Sequence, residues 1–99
     1  MGRFDVYTNR QGAGWLLDVQ SDLIASLNTR VVVPLLPVDE APLPAERLNP
    51  VFAVEGVRVV MLTQFMAAVP ASELSAAVSS LDREADAILA AIDFLHQGW

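Results

Sequence analysis

The chain has 99 residues, no cysteine and a formal net charge of −6, with twelve acids against six bases. That length holds one domain (1–99), and the lack of cysteine excludes a disulfide framework and thiolate metal ligands. The six bases are all arginine, scattered at 3, 10, 30, 47, 58 and 83, which argues against the basic face of a nucleic-acid-binding domain.

Hydrophobic residues make up 54% of the chain and mean hydropathy is +0.42. One small core does not absorb that much apolar surface, so the composition predicts a homo-oligomer. A membrane is not the expected destination, because no run approaches the roughly 18 apolar residues a span needs. The most apolar stretch, "VVVPLLPV" (Val31 to Val38), carries two prolines. The opening "MGRFDVYT" has no apolar core segment and predicts no secretory signal, so the expected address is the cytoplasm.

"RFDVYT" (Arg3 to Thr8), rich in aromatic and β-branched residues, predicts a first strand. The glycines of "NRQGAG" (Asn9 to Gly14) supply turn chemistry, and "WLLDVQ" (Trp15 to Gln20) resumes as a strand that can pair with the first. Arg30 to Leu36, "RVVVPLL", is almost continuously apolar and predicts a fully buried strand. Pro34 within it lacks a ladder N–H, which places it at a bulge or on an edge. Asp39 to Pro50, with three prolines and four charges, predicts a long loop. "VFAVEGVRVVML" then reads as a hairpin: strand Val51 to Val54, turn Glu55-Gly56, strand Val57 to Leu62. "MAAVP" (Met66 to Pro70) fits a further short strand, while Ala71 to Ser80 suits either a short helix or a turn-rich link.

Leu81, Ala85, Ile88, Ile92, Leu95 and Trp99 recur at spacings of 4, 3, 4, 3 and 4, one apolar stripe along a helix of about four turns. Asp82 fits its N-cap, Glu84 favours the dipole, and Gly98 sits where a glycine stops a helix. Five or six short strands and one C-terminal helix make an α+β domain, read as a partly open β-barrel with the helix over one opening.

Catalytic chemistry is sparse. There is no cysteine nucleophile, nucleophile elbow, glycine-rich phosphate loop or metal-ligand cluster, so neither a cofactor nor a metal is expected. The single histidine, His96, reads as a helix-terminal residue favoured by the dipole rather than as a general base. In "DVQSD" (Asp18 to Asp22), Ser21 and Asp22 fit backbone caps better than an acid–base pair. Glu84 and Asp86 fall on the solvated side of the helix, and Arg30, beside a buried strand, predicts a structural ion pair. As an enzyme the sequence is unpersuasive.

Several stretches nevertheless come in a familiar order: "FDVYTN", "LLDVQSDLI" (Leu16 to Ile24), "RVVVPL" (Arg30 to Leu35), "NPVFAVEG" (Asn49 to Gly56), "MLTQFMAAVP" (Met61 to Pro70) and the terminal "LDREADAILAAIDFLHQGW". Together they resemble the CcdB family of toxins from bacterial toxin–antitoxin pairs, over essentially the whole chain apart from a short gap around Gln11 to Gly14. The resemblance implies a homodimer with an SH3-like core of five to seven strands and a long C-terminal helix. It implies a protein without catalytic activity that binds the A subunit of DNA gyrase and traps the cleaved gyrase–DNA complex, touching DNA only indirectly. It also implies neutralisation by the disordered tail of a CcdA-type antitoxin, and repression by the pair of its own operon.

In that family the gyrase-binding surface combines the end of the helix with the apolar pair after "QSD". The resemblance places Leu23, Ile24, Asp93, His96, Gln97, Gly98 and Trp99 there. Against a terminal Trp-Gly-Ile pattern, Gln97 stands at the Trp position, Gly98 at the Gly and Trp99 at the Ile. His96 stands at an aromatic position and Asp93 at an amide one. This departure opens an alternative, a relative with an altered or lost gyrase target. A further alternative is an mRNA interferase of the MazF/Kid type, which shares the fold but needs arginines converging on a groove, against the scattered arginines and acidic balance here.

Overall fold

Strand β3 organises the molecule. In a computed structural model, which describes residues 2–41 and 44–98, the elements are β1 (Asp5–Thr8), β2 (Trp15–Asp18), β3 (Thr29–Pro37), β4 (Val51–Val54), β5 (Val57–Met61), β6 (Ala67–Pro70), β7 (Ser79–Ser80) and α1 (Ala85–Gln97). All pairings are antiparallel, along the path β4-β5-β3-β2-β1-β7, with β6 also paired to β3. This nearly closed sheet with one C-terminal helix is the expected α+β, SH3-like, partly open barrel. The two-residue β7 had no apolar alternation to announce it; the backbone of Ser79–Ser80 simply pairs with β1.

Along one edge β3 lies against β2. Its other edge is divided: Thr29 to Val32 pair with β6, and Leu35 to Pro37 pair with β5. Pro34 falls in the gap between these partners. Its carbonyl accepts from Leu62 N–H at 2.9 Å, so its nitrogen faces the same edge, where neither neighbouring strand asks for a donor. Pro34 is therefore at neither a bulge nor a sheet edge, as the sequence had implied, but inside a central strand at the change of partner.

The apolar run of β3 is explained by cover on both faces. Val33 and Leu35 join Val6, Leu17, Phe52, Val54, Val59, Met61, Ile88 and Ala91 in the main core. Val32, on the opposite face, packs with Tyr7 and Leu74, flanked by half-buried Leu16 and Val69. The segment after β6 thus lays Leu74 over the second face, and Ala71 to Ser80 consists of the 3₁₀ turn Ala71–Glu73, a link and the two-residue β7.

Turn chemistry sets the boundaries. Glu55 (φ 50°) and Gly56 (φ 80°) make a left-handed two-residue turn of the kind that matches strand twist. The first strand starts at Asp5 rather than Arg3, because Phe4 (φ 72°) closes a turn in which Asp5 N–H donates to Gly2 O and Gly2 N–H donates to Asp5 Oδ2. The second ends at Asp18, whose Oδ1 accepts from Gln20 N–H at 3.0 Å and turns the chain out of the sheet. In the proline-rich loop, buried Asn49 accepts from Ala45 N–H and donates to Met61 O and Gln64 Oε1, pinning the loop to the end of β5.

The helix departs from expectation at both ends. Residues Asp82–Glu84 form a 3₁₀ turn, α1 begins at Ala85, and no side chain caps either segment, so Asp82 is not the N-cap. The apolar stripe is buried at Leu81 and Ile88 and half-buried at Ala85 and Ile92, but Leu95 is exposed, while Ala91, outside the stripe, is buried.

Gly14 is the tightest backbone approach. It has φ 79°, and a Cβ there would collide with Leu35 O. Gly14→Ala should destabilise the fold by roughly 3 kcal/mol or more in denaturant unfolding, combining strain with a backbone clash. Gly12→Ala, where the nearest atom is Asn9 Nδ2 at 3.5 Å, should stay within about 1 kcal/mol of the native chain.

Candidate functional site

The described residues among those named from the sequence fall on two exposed patches. Leu23 and Ile24 lie on a 3₁₀ turn, Asp22–Ile24, that leaves β2 and contains no buried residue. Leu23 is 96% exposed and Ile24 46%. Leu27, absent from the sequence-derived set, extends the patch at 50% exposure. Its signal was only an apolar residue three after Ile24.

Asp93, His96, Gln97 and Gly98 form the second patch, at the distal end of α1, and all four are exposed. Gly98 is left-handed (φ 80°) and donates its N–H to Phe94 O at 2.9 Å, ending the helix as expected. His96 stands in the last helical turn. Nearby Phe94 carries the Arg47 guanidinium at 4.7 Å from its ring centroid. Trp99 lies outside the described residues. No hydrogen bond among the described residues joins the Leu23–Ile24 turn to the end of α1, so each patch is held by its own element.

Beneath the first patch is a buried polar network. Arg30 and Asp18 are 1% and 0% exposed; Arg30 Nε donates to Asp18 Oδ2 at 2.8 Å, and Nη2 lies 2.7 Å from the same oxygen. This is the structural ion pair expected of Arg30. Burial pushes the Asp18 carboxyl above its ordinary range, against the pull of Gln20 N–H and the Arg30 charge. Buried Tyr7, on the same sheet face, is likewise pushed up by burial and by Asp5 and Asp18. Asp22 instead sits outside, accepting from Arg3 N–H at 2.9 Å, and Ser21 Oγ accepts from Leu23 N–H at 3.2 Å. The two carboxylates of "DVQSD" thus do not share a site, and Ser21 caps the turn as expected.

A cleft of about 480 Å³ lies elsewhere, lined by Asn9, Arg10, Gln11, Leu16, Val69, Ser72 and Glu73. Ser72 and Glu73 both line it, but the Glu73 carboxylate accepts from Gln11 Nε2 at 3.3 Å and makes no hydrogen bond to Ser72. Among the described residues no three His, Cys, Asp or Glu side chains are placed to hold a metal ion, and no helix is long and apolar enough to cross a membrane. The arrangement leaves two patches of exposed side chains, one on a turn beside β2 and one at the end of α1.

Arg30→Met should leave Asp18 buried and unpaired, costing about 3–5 kcal/mol at pH 7. A carboxyl raised by burial contributes stability that is complete below its ordinary value of 3.8 and lost as pH rises through the folded value. The deficit of Arg30→Met should therefore shrink as pH falls towards that range, and the double variant Asp18→Leu/Arg30→Met should recover most of it. Urea unfolding at pH 4.5 and 7 tests both.

A family model described as CcdB protein matches residues 3–98 of the chain. No curated protein matches it at a significant level.

Proposed function

The chain belongs to the CcdB family, the toxins of toxin–antitoxin systems, and from that premise we propose that it acts by binding the A subunit of DNA gyrase and trapping the cleaved gyrase–DNA complex. A CcdA-type antitoxin neutralises it through a disordered tail, and the pair represses its own operon. The contact surface comprises Leu23, Ile24, Asp93, His96, Gln97, Gly98 and Trp99.

The observation that carries this reading is Leu23: an almost fully exposed leucine on a turn that buries nothing contributes nothing to the protomer's own core. With Ile24 and Leu27 exposed beside it, it forms an apolar patch of the kind that marks a protein contact. The arginines weigh against RNA cleavage, because Arg30 is locked to Asp18, and Arg3 and Arg47 lie over the Phe4 and Phe94 rings.

With gyrase and ATP, the protein should accumulate cleaved DNA and leave naked RNA intact. RNA cleavage that an arginine substitution abolishes would select the interferase reading. Antitoxin binding with neither activity would select a relative that has lost its target. Trp99→Ala should abolish gyrase binding while leaving stability within about 1 kcal/mol, since the left-handed Gly98 turns the chain out of the helix before it. A melting temperature that falls together with activity would make Trp99 part of the core.

The protein acts as a homodimer. Within β3, β4 and β5, Val33, Leu35, Val59, Val60 and Met61 are buried inside the protomer, while Val51 and Val57 stay exposed for a partner. Further exposed apolar side chains lie at Leu23, Ile24, Leu27, Phe65, Val78 and Leu95. Light scattering at micromolar concentration should give twice 10.7 kDa; a monomer would overturn the dimer.

A further inference from the structure

We infer that Gln20 is the positioning residue of the Leu23–Ile24 contact patch, an inference that rests on the function proposed above. The segment from Asp22 to Leu27 holds no buried side chain, so apolar packing does not fix it. Its own backbone bonds, Ile24 N–H to Ser21 O, Ala25 N–H to Asp22 O and Leu27 N–H to Ile24 O, are 3.2–3.3 Å long and make successive tight turns. Such turns define a local shape but not its place on the molecule.

Among the described residues two side-chain contacts tie this segment to the rest of the fold. One is solvent-exposed, from Arg3 N–H to Asp22 Oδ1. The other is Gln20, 4% exposed. Its Oε1 accepts from Val31 N–H at 3.1 Å and its Nε2 donates to Ile24 O at 3.1 Å. Its own N–H is taken by Asp18 Oδ1, the carboxylate fixed by Arg30.

One amide therefore spans from β3 to the backbone of the exposed turn, and its buried setting makes the bridge more directional than the exposed tie. Both ends of the amide are matched, since one needs an acceptor and the other a donor. No carboxylate or ammonium can do both. Gln20 touches no partner in this reading; it acts by holding Ile24 and, through it, Leu23 in the orientation to be bound. Preorganisation of this kind reduces the ordering cost of association.

The test compares Gln20→Met, which keeps length and removes both hydrogen bonds, with Asn49→Ala, which cuts a buried polar anchor at the other end of the loop system. Both are measured as full-length protein at a temperature where each is folded, by amide hydrogen exchange and by affinity for the purified gyrase A subunit. Gln20→Met should lose protection at Leu27 and Ala25 and weaken gyrase A binding about tenfold or more. Asn49→Ala should leave both unchanged.

Unchanged protection at residues 24–27 in Gln20→Met would overturn the clamp, and lost protection with native affinity would overturn its role in binding. If the native protein does not bind gyrase A, the proposed function fails. The exchange measurement then still decides whether Gln20 holds the turn.

Discussion

Everything in this fold is measured from β3, and the constraint on β3 is that both of its faces and both of its edges are occupied. One face supplies Val33 and Leu35 to the main core under α1; the other carries Arg30 and Val32 against Tyr7 and the covering Leu74. One edge holds β2, and the other changes partner from β6 to β5 at Pro34, the residue without an N–H to offer. A nine-residue strand with three strand partners and cover on both faces leaves little freedom for the chain around it. The hairpins to either side are set by that register, and Gly14 must lack a side chain because Leu35 O passes where its Cβ would be.

The polar residues follow from the same constraint. A strand covered on both faces cannot place Arg30 in water, so the guanidinium needs an anion inside the fold. Asp18, near the end of the neighbouring strand, supplies it. The carboxylate in turn holds Gln20 N–H, and Gln20 reaches the backbone of the turn that displays Leu23 and Ile24. Buried ion pairs contribute little net stability against apolar replacements, because desolvation offsets attraction. Here the charge pair has a second consequence: its unused carboxylate oxygen fixes the route of the chain as it leaves the sheet. Structural electrostatics and the display of an apolar surface are thus joined by one short stretch, "DVQSDLI".

The two exposed patches differ in how they are held. The first is braced by hydrogen bonds to the sheet. The second is the end of a helix whose apolar stripe has already left the core by Leu95 and whose chain is turned aside by Gly98. On the function proposed above, the first patch offers a partner apolar side chains that the protomer's core leaves unsupported. The exposed Leu23, Ile24, Leu27 and Phe65 account for a composition more hydrophobic than one small core requires.

The sequence by itself determined the local structure wherever a periodicity or a turn residue acts alone. The Glu55-Gly56 hairpin, the strand at "MAAVP", the stop at Gly98 and the α+β class were legible because left-handed turns and apolar spacing are local properties. So was the structural duty of Arg30, since a charge beside an apolar strand must be paired. Only the tertiary structure decided the rest. Pro34 looked like a bulge or edge residue because a sequence does not show that a strand can change partners along one edge. β7 was hidden because two serines pair through their backbone alone, and Asp82 fitted a cap that the tight 82–84 turn displaced. Val33, Leu35, Val59 and Met61 were claimed by the protomer's own core, a competition settled by packing. Gln20 carried no motif at all; a glutamine becomes a clamp only when the fold places a donor on one side of its amide and an acceptor on the other.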